Sequence, residues 1–340
     1  MHHMRKMAAA SAVLMMAAGL AACSAADQKS QGSSGGGTAS SSKVVNVLVH
    51  DSFDLPEELL TKFTEDTGYT VVTNSAGEAT VANALILAKD SPTADAFYGL
   101  DLYTAATAVD EGVVDPYVSD KLPSFGTQYV IDDAVTPIDV GDVCVNVDHQ
   151  WFTDHEVAEP VTLADLAKPE YAKLLVAQNP AASSTGLSFL VATVADQLLA
   201  GGTRIAAGWS DAYYTDFSGA DGKGDYPLVV SYSTSPAETE GATGLLEATC
   251  TRQIEYAGVA AGAKNPAGAK AFVDFMLSAD VQSAIPESMY MYPIDPEIAP
   301  PAAWGQYATL AENPLMADPR EVAENKDAWI KAWTALYEAQ

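Results

Sequence analysis

Aromatic side chains fall at turns and at the ends of predicted strands, where they can contact a ligand. Trp209, Tyr213 and Tyr214 lie in one short segment, and Tyr232 ends a predicted strand. Tyr290 follows in a later turn. Aromatic faces hold flat or cationic ligands by stacking and cation–π attraction, which is worth up to about 2 kcal/mol when the partners are desolvated. Core packing explains each ring taken singly, whereas the rings together favour a ligand site.

Polar residues follow several predicted strands directly. Three such clusters are His50-Asp51-Ser52-Phe53, Gly99-Leu100-Asp101 and Tyr232-Ser233-Thr234-Ser235. Ligands of open α/β sheets bind at the carboxyl ends of the strands, so the three clusters predict one shared cleft. The alternative is coincidence, because strand ends are turn-like and polar in any protein.

The sequence contains none of the short motifs that mark common enzyme active sites. It lacks a Gly-x-Ser-x-Gly elbow, a Walker loop, a Gly-x-Gly-x-x-Gly turn and a His-Glu-x-x-His pair. His149 and His155 match no established metal-ligand spacing, and a solvated loop is the better interpretation. We therefore expect no enzyme activity, no catalytic residues, no cofactor and no resident metal. A secreted hydrolase with a triad assembled from distant residues is the remote alternative.

The strands and helices that must position these residues alternate along residues 43–340. Predicted strands cover 44–50, 69–73, 96–100, 174–178, 228–232 and 253–259, and predicted helices cover 80–89, 102–110, 186–199, 265–277 and 319–338. This alternation predicts an α/β fold with largely parallel sheets. The body is longer than one core usually holds, so two lobes are expected.

The N-terminal segment carries export signals rather than fold. Arg5 and Lys6 precede a short apolar run, which predicts a secretory signal peptide over residues 1–22. The run ends in Leu20-Ala21-Ala22-Cys23, which predicts lipidation of Cys23; an incidental cysteine is the alternative. The Ser- and Gly-rich stretch up to residue 42 predicts a flexible linker.

Charge and cysteine content restrict the partners and the compartment. The formal net charge is −28, which excludes the basic footprint that a nucleic-acid partner requires. An acidic surface concentrates cationic ligands, although solubility alone also explains it. An exported chain meets an oxidising compartment, so Cys144 and Cys250 are candidates for a single disulfide. Two buried thiols are the alternative.

An ordered set of short motifs resembles the thiamine-binding proteins of bacterial ABC importers across residues 44–333. The motifs are His50-Asp51-Ser52-Phe53, Phe97-Tyr98-Gly99-Leu100-Asp101, Pro137-Ile138-Asp139-Val140-Gly141, Ser183-Ser184-Thr185-Gly186-Leu187, Gly208-Trp209-Ser210-Asp211-Ala212-Tyr213, Ser231-Tyr232-Ser233-Thr234-Ser235-Pro236 and Ala284-Ile285-Pro286 through Met291-Tyr292-Pro293. The resemblance implies a periplasmic-binding-protein-like fold of two lobes, each a mostly parallel sheet flanked by helices. The implied lobes are 43–136 plus about 258–298, and about 137–257 plus 299–340, with the ligand between them. It also supports a Cys144–Cys250 disulfide.

The resemblance implies roles for individual residues. Trp209 and Tyr232 would pack against the thiamine rings, and Ser183 and Ser184 would face the alcohol or phosphate end of the ligand. The other residues implied at the site are Ser233, Thr234, Ser235, His50, Asp51, Asp101, Gly77, Glu78, Tyr213 and Tyr290. Members of the family often have Tyr where this chain has His50 and Trp where it has Tyr290, a difference that would change the pocket shape and either weaken stacking or move specificity to a thiamine relative.

The implied function is capture of thiamine, or of its phosphates, by lobe closure and delivery to an ABC importer permease. The expected protein is a monomer, held at the outer face of the cell membrane by its lipid anchor alone. The alternative ligands are another cationic metabolite or ferric iron, because iron binders of this fold use adjacent tyrosines and Tyr213-Tyr214 is such a pair.

Overall fold

The structure is a computed structural model that describes residues 43–77, 80–193, 195–220 and 224–339. The predicted signal peptide, the Cys23 lipidation site and the linker lie outside the described residues, and so does Glu78. No helix within the described part of the chain is both long enough and apolar enough to span a membrane.

Among the described residues, ten strands form one sheet. The strands are β1 (Val44–Val49), β2 (Thr70–Ser75), β3 (Ala96–Asp101), β4 (Val114–Asp115), β5 (Thr136–Asp148), β6 (Leu175–Gln178), β7 (Arg204–Ala206), β8 (Leu228–Tyr232), β9 (Thr243–Ala260) and β10 (Tyr292–Pro293). Their order across the sheet is β2-β1-β3-β9-β5-β8-β6-β7, with β4 paired to β9 and β10 paired to β5.

Helices connect the strands, so the predicted α/β alternation is confirmed. The helices are α1 (Glu57–Thr67), α2 (Val81–Leu87), α3 (Leu102–Asp110), α4 (His149–Asp154), α5 (Leu163–Leu166), α6 (Pro169–Ala172), α7 (Ser184–Ala192), α8 (Ala195–Ala200), α9 (Ser235–Glu238), α10 (Pro266–Met276), α11 (Ala279–Met289), α12 (Trp304–Tyr307) and α13 (Pro319–Glu338). The single helix predicted over 186–199 is wrong. Thr193 is extended and its hydroxyl donates to the Phe189 carbonyl at 2.8 Å, which ends α7.

The sheet is mixed, which corrects the expectation of largely parallel pairing. Strand β1 pairs in parallel with β2 and β3, and β6 pairs in parallel with β7 and β8. At the centre, β9 is antiparallel to β3 and β5, and β5 is antiparallel to β8. The sequence pattern missed β5 because Asp139, Asp142 and Asn146 are fully buried in it and interrupt the apolar run that marks a buried strand.

Two main hydrophobic cores share the long central strands. Core 1 contains Val47 of β1 and Phe97 of β3, and core 2 contains Leu175 of β6 and Val230 of β8. Strands β5 and β9 contribute side chains to both cores. We call the middle part of these two paired strands the crossing. Helix α7 also contacts both cores, and the lobe boundaries predicted above stay a prediction.

A disulfide closes the crossing. Cys144 of β5 and Cys250 of β9 are joined, so the predicted pairing is confirmed and the alternative of two buried thiols is wrong. Both cysteines are buried, and Ala311 packs against them. The bond fixes the two strands to each other at the point where the chain passes from one core to the other.

A buried ion pair lies two residues from the disulfide on each strand. Arg252 Nε donates to Asp142 Oδ1 at 2.7 Å, and its other nitrogens donate to the Tyr129 hydroxyl at 3.2 Å and the Ala311 carbonyl at 3.1 Å. The Ala311 amide donates to Asp142 Oδ2 at 2.7 Å. Burial raises the pKa of Asp142 to about 6, although Arg252 acts in the opposite direction. The network satisfies both charged groups, as a buried pair requires.

Candidate functional site

The carboxyl ends of β1 and β3 place His50 beside the backbone of Gly99. The two strands are parallel, with Val49 opposite Tyr98, so the residues that follow them meet at one edge. Gly99 lies at a bulge and has a φ of 102°. A Cβ added there would lie 2.5 Å from His50 Cδ2. Glycine is therefore required both for the backbone conformation and for the position of the imidazole ring.

Gly99→Ala is expected to lower the free energy of unfolding by about 1–3 kcal/mol, because it adds backbone strain and displaces His50. Thermal or denaturant unfolding measures the loss. Gly77→Ala is the matched control, because Gly77 has a φ of 67° and nothing lies within 4 Å of its added Cβ. Equal losses in the two variants would show that the His50 contact contributes nothing.

A cluster of buried acids surrounds His50. His50 Nε2 lies 3.6 Å from Glu255 Oε2. The Tyr98 hydroxyl lies 2.7 Å from the same Glu255 oxygen and 2.5 Å from Asp139 Oδ2. We call His50, Tyr98, Asp139 and Glu255 the acid cluster. One hydroxyl has one proton to donate, so one of the two short contacts needs a proton from a carboxyl group.

The electrostatics assign that proton to Asp139. Burial, followed by the charge of Glu255, raises the pKa of Asp139 well above its ordinary value. Burial is the largest single effect on Glu255 and disfavours its ionisation, but His50 and Tyr98 together outweigh burial and the pKa of Glu255 is lowered. For His50, burial is opposed by the Glu255 and Asp51 carboxylates, and its pKa is raised. The cluster therefore favours an imidazolium beside an ionised Glu255 and a protonated Asp139.

A second group of side chains is built on a π-helical turn at Asp211–Asp216. Trp209 stacks on Tyr213, with ring centroids 5.1 Å apart and planes 11° apart. Trp209 Nε1 donates to Ser231 Oγ at 2.8 Å, and the Ser231 and Ser235 hydroxyls share a hydrogen bond of 2.8 Å. Tyr213 is buried and its hydroxyl donates to the Ser235 carbonyl at 3.3 Å. These contacts fix the orientation of the indole ring.

Tyr232 connects this aromatic group to the acid cluster. Its ring packs against both cores and lies 6.1 Å from the Trp209 ring. Burial raises the pKa of Tyr232, and the charges of four carboxyl groups raise it further. Those four are, in decreasing effect, Glu255, Asp101, Asp139 and Asp51. The Tyr232 ring therefore lies in the electric field of nearby carboxyl groups, Glu255 above all, and such a field favours a cation at the ring.

Polar groups complete the site. Ser184 Oγ at the start of α7 donates to Asp101 Oδ2 at 2.8 Å, which joins the end of β3 to a helix that contacts both cores. Ser183 caps α7 and shares a hydrogen bond of 2.8 Å with Thr185. Within the described part of the chain, the buried hydroxyls of Ser233 and Thr234 have no hydrogen-bond partner. Buried polar atoms of this kind are free to bond a ligand.

Comparison with protein families gives a match over most of the body. The family model for bacterial extracellular solute-binding proteins matches residues 91–312, which is more than half of the chain. The chain belongs to this family. A solute-binding role and a location outside the cytoplasm follow from that membership, and they agree with the predictions made from the sequence.

Individual relatives of this solute-binding protein carry more specific names. The chain is 30% identical over 279 residues to a thiamine-binding periplasmic protein of Brucella suis, covering 77% of this chain and 80% of the relative. It is similar to a solved periplasmic thiamin binding protein with a TM-score of 0.73 and 27% identity, over 86% of this chain and 96% of the other. A ferric binding protein from Campylobacter jejuni gives a TM-score of 0.68 at 19% identity, over 87% and 98% of the two chains, which shows the fold alone.

These neighbours confirm the predicted fold class, a two-lobed α/β periplasmic-binding-protein-like fold. The structure of this solute-binding protein brings together most of the residues that sequence analysis assigned to one cleft. The residues connected by contacts or charges are His50, Asp51, Asp101, Ser183, Ser184, Trp209, Tyr213, Tyr232 and Ser235, and Ser233 and Thr234 lie between Tyr232 and Ser235 in the chain. Their role in binding a ligand stays a prediction.

Two predicted residues are less closely connected to this site. Tyr290 is 46% exposed at the end of α11. Among the described residues, its relation to the aromatic group is the charge of Glu238, which, after burial, raises the pKa of both Tyr290 and Tyr213. Gly77 follows β2, and its amide donates to the Ser75 hydroxyl at 3.0 Å. Glu78 lies outside the described residues.

The sequence pattern predicts no role for Tyr98, Asp139 or Glu255. Tyr98 and Asp139 lay inside motifs that carried the resemblance, but nothing local indicated that they meet 41 residues apart in sequence. Glu255 had a detectable signal, because a lone acid between apolar residues in a predicted strand must be paired if that strand is buried.

Proposed function

We propose that this solute-binding protein captures thiamine outside the cytoplasm and delivers it to the permease of an ABC importer. The observation that carries the proposal is the pair of rings, Trp209 and Tyr232, held 6.1 Å apart, with Tyr232 in the field of nearby carboxyl groups. Thiamine has two flat rings and one permanent positive charge, and both features match such a site. The thiamine-binding names of the relatives described above support the same ligand.

The residues would divide the recognition between them. Trp209 and Tyr232 would stack on the rings, and Glu255 with Asp51 would balance the positive charge. The unpaired hydroxyls of Ser233 and Thr234 would bond polar atoms of the ligand. The alcohol or phosphate end would face the start of α7 at Ser183 and Ser184, where a helix N-terminus accommodates anionic groups.

Calorimetry with the purified protein tests the proposal directly. We expect one thiamine per chain and a rise in melting temperature, because a ligand that binds only the folded state stabilises it by mass action. No heat and no melting shift at about millimolar thiamine would contradict the proposal, since such a protein would bind with less than about 4 kcal/mol. Substrate turnover is not expected in the same samples.

Ser184→Ala is expected to weaken binding of thiamine about threefold to tenfold, because it removes the hydrogen bond to Asp101 that joins the start of α7 to the end of β3. Calorimetry with thiamine and with thiamine monophosphate gives two affinities to compare. If the affinities for both ligands fall equally, Ser184 acts only through its hydrogen bond to Asp101. If the affinity for thiamine monophosphate falls more, Ser184 also contacts the phosphate group of the ligand. Unchanged affinity for both would contradict either role. Ser283→Ala is the control, because that exposed serine bonds only the Ala279 carbonyl of its own helix.

Ferric iron is the second candidate, and the geometry of its predicted ligands disfavours it. The Tyr213 hydroxyl already donates to the Ser235 carbonyl, and burial raises its pKa, whereas iron binding needs a phenolate. The Tyr213 and Tyr214 rings are nearly perpendicular, at 87°, and Tyr214 is 48% exposed. An iron-loaded sample that shows a visible tyrosinate charge-transfer band would support iron over thiamine.

The anchoring proposal rests on the sequence alone. A lipid on Cys23, followed by the linker to residue 42, would hold the body at the outer face of the membrane. The anchored protein is expected to be a monomer. Mass spectrometry of the mature N-terminus tests it. Cys23→Ser is expected to release the protein into the soluble fraction. An unlipidated Cys23 in the mature protein from its natural host would contradict the proposed lipid anchor.

A further inference from the structure

His50 is placed where a ligand cation would compete with it. Its ring lies 5.4 Å from the Tyr98 ring and 6.4 Å from the Phe53 ring, and its side chain is 22% exposed. Nδ1 lies 3.3 Å from the Ser52 hydroxyl. Nε2 is buried and faces Glu255 at 3.6 Å, beyond hydrogen-bond distance, so the attraction between them is mainly that of opposite charges.

The charged and titratable groups that face His50 come from several elements. Asp51 follows His50 in the chain, Tyr98 is on β3 and Glu255 is on β9, whereas Asp139 on β5 is linked to His50 through Tyr98. The carboxylates of Glu255 and Asp51 outweigh the effect of burial and raise the pKa of His50. A protonated His50 therefore balances the negative charge of the site in the free protein.

The same carboxylates act on the ring that is proposed to hold the ligand. Glu255 and Asp51 both contribute to the raised pKa of Tyr232, together with Asp101 and Asp139. A ligand cation stacked on Tyr232 is thus attracted by the same carboxylates that stabilise the imidazolium of His50. Two positive charges in one partly buried site repel each other, and only His50 can lose its charge by releasing a proton.

We propose that a cationic ligand displaces the proton of His50, so that solute capture is coupled to the release of up to one proton per ligand. This inference rests on the proposed function, because it requires a positively charged ligand at Tyr232. In the exchange, the imidazolium N–H bond breaks, the proton leaves to solvent, and the ligand cation takes over the neutralisation of Glu255. The neutral ring then remains as a packing surface beside Tyr98.

The sign of the pH dependence follows from this exchange. Below the pKa of His50 in the free protein, which lies above 6.5, the ligand must displace a proton, so affinity rises with pH by up to about tenfold per unit. Above that pKa, no proton is left to displace and affinity becomes independent of pH. The exchange also makes the site selective, because an uncharged analogue has no charge with which to displace the proton.

The test is calorimetry of the full chain between about pH 6 and pH 8.5, in two buffers that differ in ionisation enthalpy. The probes are thiamine and its uncharged thiazole fragment, 5-(2-hydroxyethyl)-4-methylthiazole, whose ring nitrogen is not protonated in this pH range. We expect thiamine to release between half and one proton at the acidic end and none at the basic end, and the fragment to release none. In His50→Gln, thiamine binding is expected to lose both the proton release and the pH slope.

His149→Gln is the matched control, because His149 is an exposed histidine paired with Glu159 away from the site, and the parental proton release is expected there. His50→Tyr supplies a second variant that keeps an aromatic ring at this position, in case the glutamine variant does not fold. Proton release that persists in both His50 variants would assign the proton to a carboxyl group such as Asp139 and overturn the inference.

The remaining outcomes separate this inference from the proposed function. Thiamine binding with equal heats in both buffers at every pH would overturn the proton exchange and leave thiamine capture standing. Equal proton release by thiamine and by the uncharged fragment would show that burial rather than charge displaces the proton, and would also overturn it. No thiamine binding at any pH would overturn both proposals together.

Discussion

Replacing Trp209 with alanine is expected to weaken thiamine binding by about 10- to 30-fold, the equivalent of the roughly 1.4–2 kcal/mol that a desolvated cation–π contact contributes. The indole ring is held by its stack on Tyr213 and by its hydrogen bond to Ser231, so its face is already oriented before a ligand arrives. A preorganised ring loses little conformational entropy when the ligand binds. Removal of the ring therefore lowers the affinity by almost the full energy of the contact. Calorimetry at one pH and salt concentration measures the change.

Two comparisons make the Trp209 result specific. Tyr290→Phe is expected to bind within about twofold of the parent, because Tyr290 is connected to the site only through the charge of Glu238 and phenylalanine keeps the ring. Trp209→Phe is expected to lose less than Trp209→Ala, because it retains a smaller aromatic face. If Trp209→Ala and Tyr290→Phe both bind thiamine like the parent while their melting temperatures are unchanged, the aromatic group is not the binding surface.

The sequence predicted the outer parts of the fold well because their signals are local. Strand β8 and helices α3 and α13 have the predicted bounds, since each is marked by an apolar pattern and by residues that begin or end it. Asp101 is one such residue: it ends β3, and its carboxylate accepts hydrogen bonds from the Tyr103 and Thr104 amides at the start of α3. The same residue then became a site candidate, because strand ends and helix starts lie at the cleft.

The crossing was predicted poorly because its stability comes from partners distant in sequence. Asp142 and Arg252 are 110 residues apart, and each is tolerated inside the protein only because the other neutralises it. A sequence pattern shows such residues as polar interruptions and not as buried strand positions. The acid cluster was missed for the same reason, since Glu255 is explained by Tyr98 of β3 and by His50, which follows β1.

The residues of the site that could be predicted and those that could not differ in chemistry. Aromatic and hydroxyl groups at strand ends, such as Trp209, Tyr232 and Ser233, stand out from their neighbours by type and position. Their arrangement could not be predicted, because the orientation of the Trp209 indole depends on a hydrogen bond to Ser231, for which no role was predicted. It also depends on a π-helical turn, which has no known sequence signal.

Removing the disulfide between Cys144 and Cys250 is expected to lower the free energy of unfolding by about 2–4 kcal/mol, because the bond closes a loop whose ends are 106 residues apart and so restricts the unfolded chain. Denaturant unfolding of the Cys144→Ala/Cys250→Ala double variant measures the loss. Treatment of the parent with a dithiol reductant gives an independent comparison, in which the two thiols remain.

The same double variant separates stability from binding. The crossing keeps its second connection, the network of Asp142 and Arg252 with the Ala311 backbone, so β5 and β9 are expected to stay paired in the folded state. Thiamine affinity should then change by less than about threefold, far less than the unfolding equilibrium, because a restraint on the unfolded chain does not alter the folded site. An unchanged unfolding free energy would contradict the loop-closure argument. A large loss of affinity with folding intact, found also in the reduced parent that keeps both buried sulfur atoms, would instead show that the disulfide itself sets the geometry between the two cores.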